Sequence, residues 1–275
     1  MMAKKLGIAL AGGGARGAYQ IGALNVLDSH GILDNIVAVS GSSVGSLNAV
    51  LLATNDLKKA HQTWLDLDHT DLFVQDDNMF KRFFEEKLEF IYKGAYNTDR
   101  LEEIIEASLD YDKLKEVDVY VATSHVGHDD TTWLELMSLS LRNMFAKETL
   151  VRYPNLRTMD KDTIRKTLLA SCAIPIVFKP VVIDHETYYD GGVLDNTPYM
   201  PLINHGCDAI IVIDLYRFNL KRPKTVNGIP ITYIYPSKYL KGILDFEPDK
   251  ITFRMALGEY DAKLKIEEIQ KMLAK

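Results

Sequence analysis

The sequence predicts an α/β fold: three layers, α/β/α, with a central, mainly parallel sheet. Three observations carry the expectation. The first fifty or so residues alternate strand and helix patterns, which favours a parallel sheet with helices on its faces. Asp208 to Asp214 (D-A-I-I-V-I-D) is a near-continuous apolar run, the mark of a strand buried on both faces. A content of 47% hydrophobic and 25% charged residues over 275 positions supplies ample material for a packed core.

Leu6 to Ala11 reads as the first buried strand. Lys4 and Lys5 before it, and Ala9-Leu10-Ala11 within it, imitate a signal peptide, but six apolar residues fall short of the usual ~7–15. Gly12 to Gly17 is a glycine loop. Arg16 to Ser29 reads as a helix, with Ala18, Ile21, Leu24, Val26 and Leu27 apolar, ended near Gly31. The second strand is Ile36–Ser40, followed by a tight turn at Ser43 and a helix to about Ala53. Residues 55 to 112 look mostly helical and read as an insertion and candidate lid. Within them Phe80, Phe83, Phe84, Leu88 and Ile91 share one helical face. That pattern favours a helix packed on the core over an aromatic flap against lipid.

Val117–Ser124 and Thr132–Leu139 read as strands, separated by the polar turn Gly127-His128-Asp129-Asp130. Asp162 to Cys172 reads as a helix stopped by Pro175. Pro180–Asp184 and Glu186–Tyr189 follow as a hairpin. After the buried strand at 208–214 come a short strand, Ile231–Tyr235, and a terminal helix, Glu259 to Leu273. No linker divides the chain, so one domain over residues 1–275 is expected.

The net charge of −6 argues against nucleic acid as the main partner, since phosphate binding needs clustered Lys and Arg. A membrane surface stays open. Cys172 and Cys207 are far apart and lack C-x-x-C spacing, which fits a reduced, cytoplasmic setting. Cys172 lies in an apolar run and reads as a small core residue rather than a nucleophile. No apolar run approaches the ~18 residues of a membrane span, so a soluble or peripheral protein is expected.

The chemistry centres on Gly41-Ser42-Ser43-Val44-Gly45, a G-x-S-x-G pattern between strand and helix. A serine on such a turn projects its hydroxyl outward, at the positive end of the helix dipole. A glycine-serine helix cap accounts for the same residues, and alone the pattern decides nothing. A serine nucleophile also needs oxyanion donors and a base. Gly12-Gly13-Gly14-Ala15-Arg16-Gly17 can supply the donors, because consecutive glycine amides at a helix N-terminus make a concave anion site. Gly12, Gly14 and Gly17 also satisfy G-x-G-x-x-G, a dinucleotide fingerprint. That fingerprint needs an acid ending the second strand, about 20 residues on, and here the strand ends in Ser40-Gly41. The base is less evident. A Ser-Asp-His triad would draw on His205, which sits in Asn204-His205-Gly206 and looks like a helix cap. His30, His61, His69, His125, His128 and His185 lie in polar or turn contexts. Asp190-Gly191-Gly192 offers an acid on a tight turn, although Asp-Gly turns are common.

The three motifs in order resemble the patatin-like phospholipase family. The resemblance extends through Ala170–Pro175 and Phe178–Val181, and through Tyr189–Pro198, and covers about residues 6 to 215. It implies a patatin-like α/β fold and a serine-aspartate dyad without histidine. By position Ser43 would be the nucleophile and Asp190 the general base. Gly12, Gly13 and Gly14 would form the oxyanion hole, with the Val44 amide as an additional donor. Gly17, Gly41, Gly45, Gly191 and Gly192 would support these turns, and Arg16 would brace the loop or meet an anionic head group. The implied activity is hydrolysis of lipid carboxylic esters through an acyl-enzyme, with no metal and no cofactor. The implied partners are a lipid or acyl-ester substrate and a transient membrane contact, not nucleic acid. An esterase using Ser43, Asp190 and His205, and a nucleotide-binding protein without hydrolytic activity, are the alternatives. An ordinary Asp pKa near 3.9 is low for a base, and burial would raise it.

Overall fold

The computed structural model describes residues 4–54, 57–66, 101–103, 105–106, 109–128, 150–174, 178, 180–219 and 222–274. The aromatic face at 80–91, the expected strand at 132–139, Pro175 and most of the expected insertion fall outside these residues.

The opening follows the expected order. Strand β1 (Leu6–Leu10) leads into the glycine loop, whose last part, Gly14–Gly17, is a 3₁₀ turn, and then into α1 (Ala18–Ser29). Strand β2 (Ile36–Ser42) runs through Ser43 into α2 (Val44–Ala53), and α3 (Leu57–Asp66) follows. Strand β3 (Asp118–His128) and β4 (Leu150–Arg152) come next, then α4 (Lys161–Cys172) and the antiparallel pair β5 (Val181–Ile183) and β6 (Glu186–Asp190). Helix α5 (Met200–His205) precedes β7 (Ala209–Ile213), β8 (Thr225–Val226) and β9 (Ile229–Ile234). Two helices end the chain, α6 (Pro248–Lys263) and α7 (Ile266–Ala274).

Among the described residues the strands form one sheet in the order β5-β6-β3-β2-β1-β7-β9-β8, with β4 also on β3. Strands β3, β2, β1, β7 and β9 are mutually parallel, and β4, β5, β6 and β8 pair antiparallel at the ends. The period-two alternation of strands sorts the side chains. Leu6, Ile8 and Leu10, with Ala209, Ile211 and Ile213, face one core under α1, α2, α6 and α7. Ala9, Ile210 and Val212 face the opposite core with Leu202 and Ile203 of α5. Helices on both faces complete the three-layer α/β/α architecture.

Two expected elements are corrected. Gly127-His128 is not a turn: β3 runs on through both residues. A register shift between His125 and Gly127 marks a bulge there, with Gly127 at φ 145°. The terminal helix is two. Pro248 at the first turn starts α6 well before Glu259, and α6 ends where Lys265 N–H closes a tight bond onto Ala262 at 2.8 Å. Helix α6 crosses α1 with backbone nearly touching backbone. A Cβ on Gly22 would lie 2.0 Å from the Met255 carbonyl oxygen, and one on Gly258 2.0 Å from that of Tyr19. The Tyr19 hydroxyl donates to Asp261 at 3.0 Å across this contact.

Candidate active site

Sheet register brings the serine turn to the aspartate. Ser42, the last residue of β2, pairs with Ala122 of β3, and the next residue of β3, Thr123, pairs with Asp190 at the end of β6. Ser43 and Asp190 thus stand beside each other across β3, although 147 positions apart in sequence. Ser43 holds φ 52°, ψ −129°, a conformation that a non-glycine residue adopts only when its surroundings enforce it. Those surroundings are visible. The Ser171 hydroxyl accepts the Ser43 N–H at 3.0 Å and donates to the Ala122 carbonyl at 2.8 Å. The Ser43 carbonyl accepts from Ser46 N–H at 2.8 Å and from its hydroxyl at 2.6 Å. Ser43 caps α2, so its side chain sits at the positive end of that helix.

Asp190 is 4% exposed and Ser43 8%. The carboxylate accepts a hydrogen bond from Gly192 N–H at 2.7 Å, and the Ser43 hydroxyl beside it favours the ionised form. Burial pushes its pKa up to about 7, and the Ser43 hydroxyl and Gly192 N–H offset only part of the rise. Cys172 lies close by. Burial and the Asp190 charge push its thiol up, so it stays protonated, as suits a small buried residue.

The glycine loop is held from several sides. Gly12 is clamped by Asn196: its N–H donates to the Asn196 carbonyl at 3.1 Å, and its carbonyl accepts from the Asn196 side chain at 3.2 Å. The Gly12 amide is therefore engaged. Among the described residues nothing accepts from the amides of Gly13, Gly14 or Val44. Gly14 sits at φ +54°, where a Cβ would meet the Ile243 carbonyl oxygen at 2.2 Å. That carbonyl accepts from Ala15 N–H at 2.7 Å. Gln20 of α1 donates to the carbonyl of Ala11, before the loop, at 2.8 Å, and Asn48 of α2 to that of Gly17, at its end, at 3.0 Å. Asn48 also bonds Gln20 and accepts from the Trp64 ring N–H.

Three positioning residues had no reading of their own in the sequence. Ser171 and Asn196 lie inside the blocks that carried the resemblance, which was the available signal. Arg254 had none. It is buried, and its guanidinium donates to the carbonyls of Ala15, Leu240, Gly242 and Asp245. Desolvation pulls its pKa down to about 10, so it stays a cation at neutral pH. Arg16 braces the loop: its Nε donates to the Lys241 carbonyl at 2.9 Å and its guanidinium lies over the rings of Tyr216 and Tyr239. His205 ends α5, whose cap is Gly206, and hydrogen-bonds Tyr120 at 3.0 Å, while the groups at the Asp190 carboxylate are Ser43 and Gly192. The structure does not bring His205 into this cluster.

A family model for patatin-like phospholipase matches residues 8–203. The chain belongs to the patatin-like phospholipase family. The patatin-like chain is 28% identical over 236 residues to an uncharacterized protein of Acanthamoeba polyphaga mimivirus, covering 83% of this chain and 71% of that one. It is 27% identical over 227 residues to a lysophospholipase of Cryptococcus neoformans, covering 77% of this chain but only 11% of the fungal protein. Among solved structures, human GIVD cytosolic phospholipase A2 shares the fold at a TM-score of 0.57 and 10% identity, over 99% of this chain and 60% of that one. The patatin-like family is one of lipid carboxylic ester hydrolases, which matches the class of chemistry the three motifs imply.

Proposed function

We propose that this patatin-like protein hydrolyses lipid carboxylic esters with a Ser43–Asp190 dyad. The observation that carries the reading is one juxtaposition. A serine held at positive φ on a strand-helix turn stands beside a buried carboxylate whose pKa lies near 7. A base with a pKa near the working pH combines the right protonation state with enough driving force to take the proton. The Ser43 hydroxyl oxygen attacks the ester carbonyl carbon as its proton passes to Asp190. The amides of Gly13 and Gly14, with that of Val44 at the head of α2, stabilise the oxyanion. Gly12 serves the loop as its anchor to Asn196 rather than as a donor. When the tetrahedral intermediate collapses, Asp190 returns the proton to the departing alcohol, or lysolipid. Water then attacks the acyl-enzyme, gives its proton to Asp190, and the fatty acid leaves as that proton returns to Ser43.

The test uses a p-nitrophenyl acyl ester and a phospholipid, with Ser43→Ala and Asp190→Asn. Each variant should lose at least about 10³-fold in kcat. A fluorophosphonate probe should label the wild type and not Ser43→Ala. Retained hydrolysis in either variant would remove the dyad from the mechanism.

A further inference from the structure

Residues 215–244 hold six Lys or Arg and no Asp or Glu, in a chain whose net charge is −6. The described ones, 215–219 and 222–244, form β8, β9 and parts of the two loops that leave β7 and β9 at the end of the sheet where the glycine loop leaves β1. These loops carry a chain of stacked cations and rings. Arg16 of the glycine loop lies 5.3 Å from the ring centroid of Tyr216, after β7, and 5.6 Å from that of Tyr239, after β9. Arg222 lies 4.0 Å from the ring centroid of Tyr235 and bonds the Tyr216 carbonyl. Arg217 lies 5.0 Å from the Phe218 ring centroid. The rings are not buried by these contacts: Phe218 is 85% exposed, Tyr239 62%, and Tyr216, Tyr235 and Ile243 are exposed as well. Arg217, Lys224, Lys238 and Lys241 are exposed beside them, and among the described residues none pairs with a carboxylate. Asp214, the acid at the root of the first loop, is buried and committed to Arg222 at 3.0 Å.

We propose that the loops after β7 and β9 form a docking surface for an anionic lipid bilayer, seated beside the glycine loop. Exposed aromatic rings suit the headgroup boundary, where their apolar faces leave water while polar groups stay hydrated. Exposed Lys and Arg add attraction to acidic headgroups. Cation–ring stacking holds Tyr216, Tyr235 and Tyr239 before contact, so less ordering is lost on docking. The placement rests on the lipid-hydrolase reading, since such a surface sets the membrane against the loop that would receive the scissile ester. It also assigns the membrane contact to residues after 214, rather than to the aromatic face at 80–91.

The experiment is cosedimentation of the full chain with vesicles of phosphatidylcholine alone and of phosphatidylcholine mixed with phosphatidylserine. Binding should favour the anionic vesicles by at least about tenfold and weaken with added salt. Arg217→Glu with Lys238→Glu should lower anionic-vesicle binding by at least about tenfold. Phe218→Ser should weaken it roughly fivefold to tenfold. These variants should hydrolyse a short, soluble p-nitrophenyl ester at the wild-type rate, and Ser43→Ala should bind vesicles like the wild type. Equal binding to neutral and anionic vesicles, unchanged binding in the variants, or preferential capture by single-stranded RNA would overturn the proposal. Vesicle binding with this pattern, alongside no hydrolysis of either ester, would leave the docking surface standing and remove the dyad reading instead.

Discussion

At Asp190 the fold and the chemistry pull in opposite directions, and pH separates them. A base must be ionised to take the Ser43 proton, and burial has raised this carboxyl to about 7. The kcat/KM profile on a soluble ester should therefore rise with pH through a midpoint near 7 and flatten above it. A midpoint near the ordinary carboxylate value of ~4 would show that burial does not tune the group. Stability should run the other way. Between about pH 4 and 7 the folded carboxyl binds a proton that the unfolded one has released, so the folded state holds more protons. Stability then falls as pH rises through that window, because a charge is being formed in a buried site. Asp190→Asn keeps an acceptor for Gly192 N–H and removes the charge. It should raise the melting temperature at pH 8, by an amount corresponding to about 1–3 kcal/mol, and give little gain at pH 4. A variant less stable than wild type at pH 8 would contradict this account.

The elements divide into those whose character is local and those whose role depends on partners far away in sequence. β1, the glycine loop, β2, the Ser43 turn and β7 were legible because each carries its own pattern: an apolar run, clustered glycines, or G-x-S-x-G. β3 was read short because Gly127 looks like a turn residue, whereas in the sheet it relieves a bulge opposite β6. Arg254 was illegible for a stronger reason. Its neighbours in α6 give no sign that it is buried, and its acceptors span residues 15 to 245. The loop it organises carries the Ile243 carbonyl that fixes Ala15 and excludes a Cβ at Gly14. Arg254→Met should cost about 2–4 kcal/mol by stranding buried carbonyls, and should lower kcat on a soluble ester with little change in KM. Gly258→Val is the matched control. It forces α6 away from α1 and should cost about 1–3 kcal/mol or more, but leave kcat largely intact below its melting temperature. If both variants lose stability and kcat in parallel, Arg254 is only structural.

For the whole molecule, the region beyond the family match is what closes the sheet. The match ends at residue 203, yet β7 lies between β1 and β9 and continues the ladder of β1 from Leu6↔Ala209 to Leu10↔Ile213. A chain ended after Ile203 would leave β1 as a sheet edge, with Leu6, Ile8 and Leu10 stripped of Ala209, Ile211 and Ile213. It would also lose the Ile213 carbonyl that accepts from Ala11 N–H, the Ile243 carbonyl that accepts from Ala15, and all four bonds of Arg254. Restoring the sheet alone should not suffice. A chain ended at Asp245 regains β7, β8 and β9 but leaves the helix-covered face without Ile251, Met255, Ile269 and Met272. Neither fragment should show a cooperative thermal transition by circular dichroism, both should bind a dye that reports exposed apolar surface, and neither should react with a fluorophosphonate. A cooperative melt with fluorophosphonate labelling in the fragment ending at Ile203 would mean that the motifs assemble without the strands and helices that follow. The hydrogen bonds at both ends of Gly13-Gly14 argue against that outcome, because Ala11, Ala15 and Arg16 are all bonded to residues after 203.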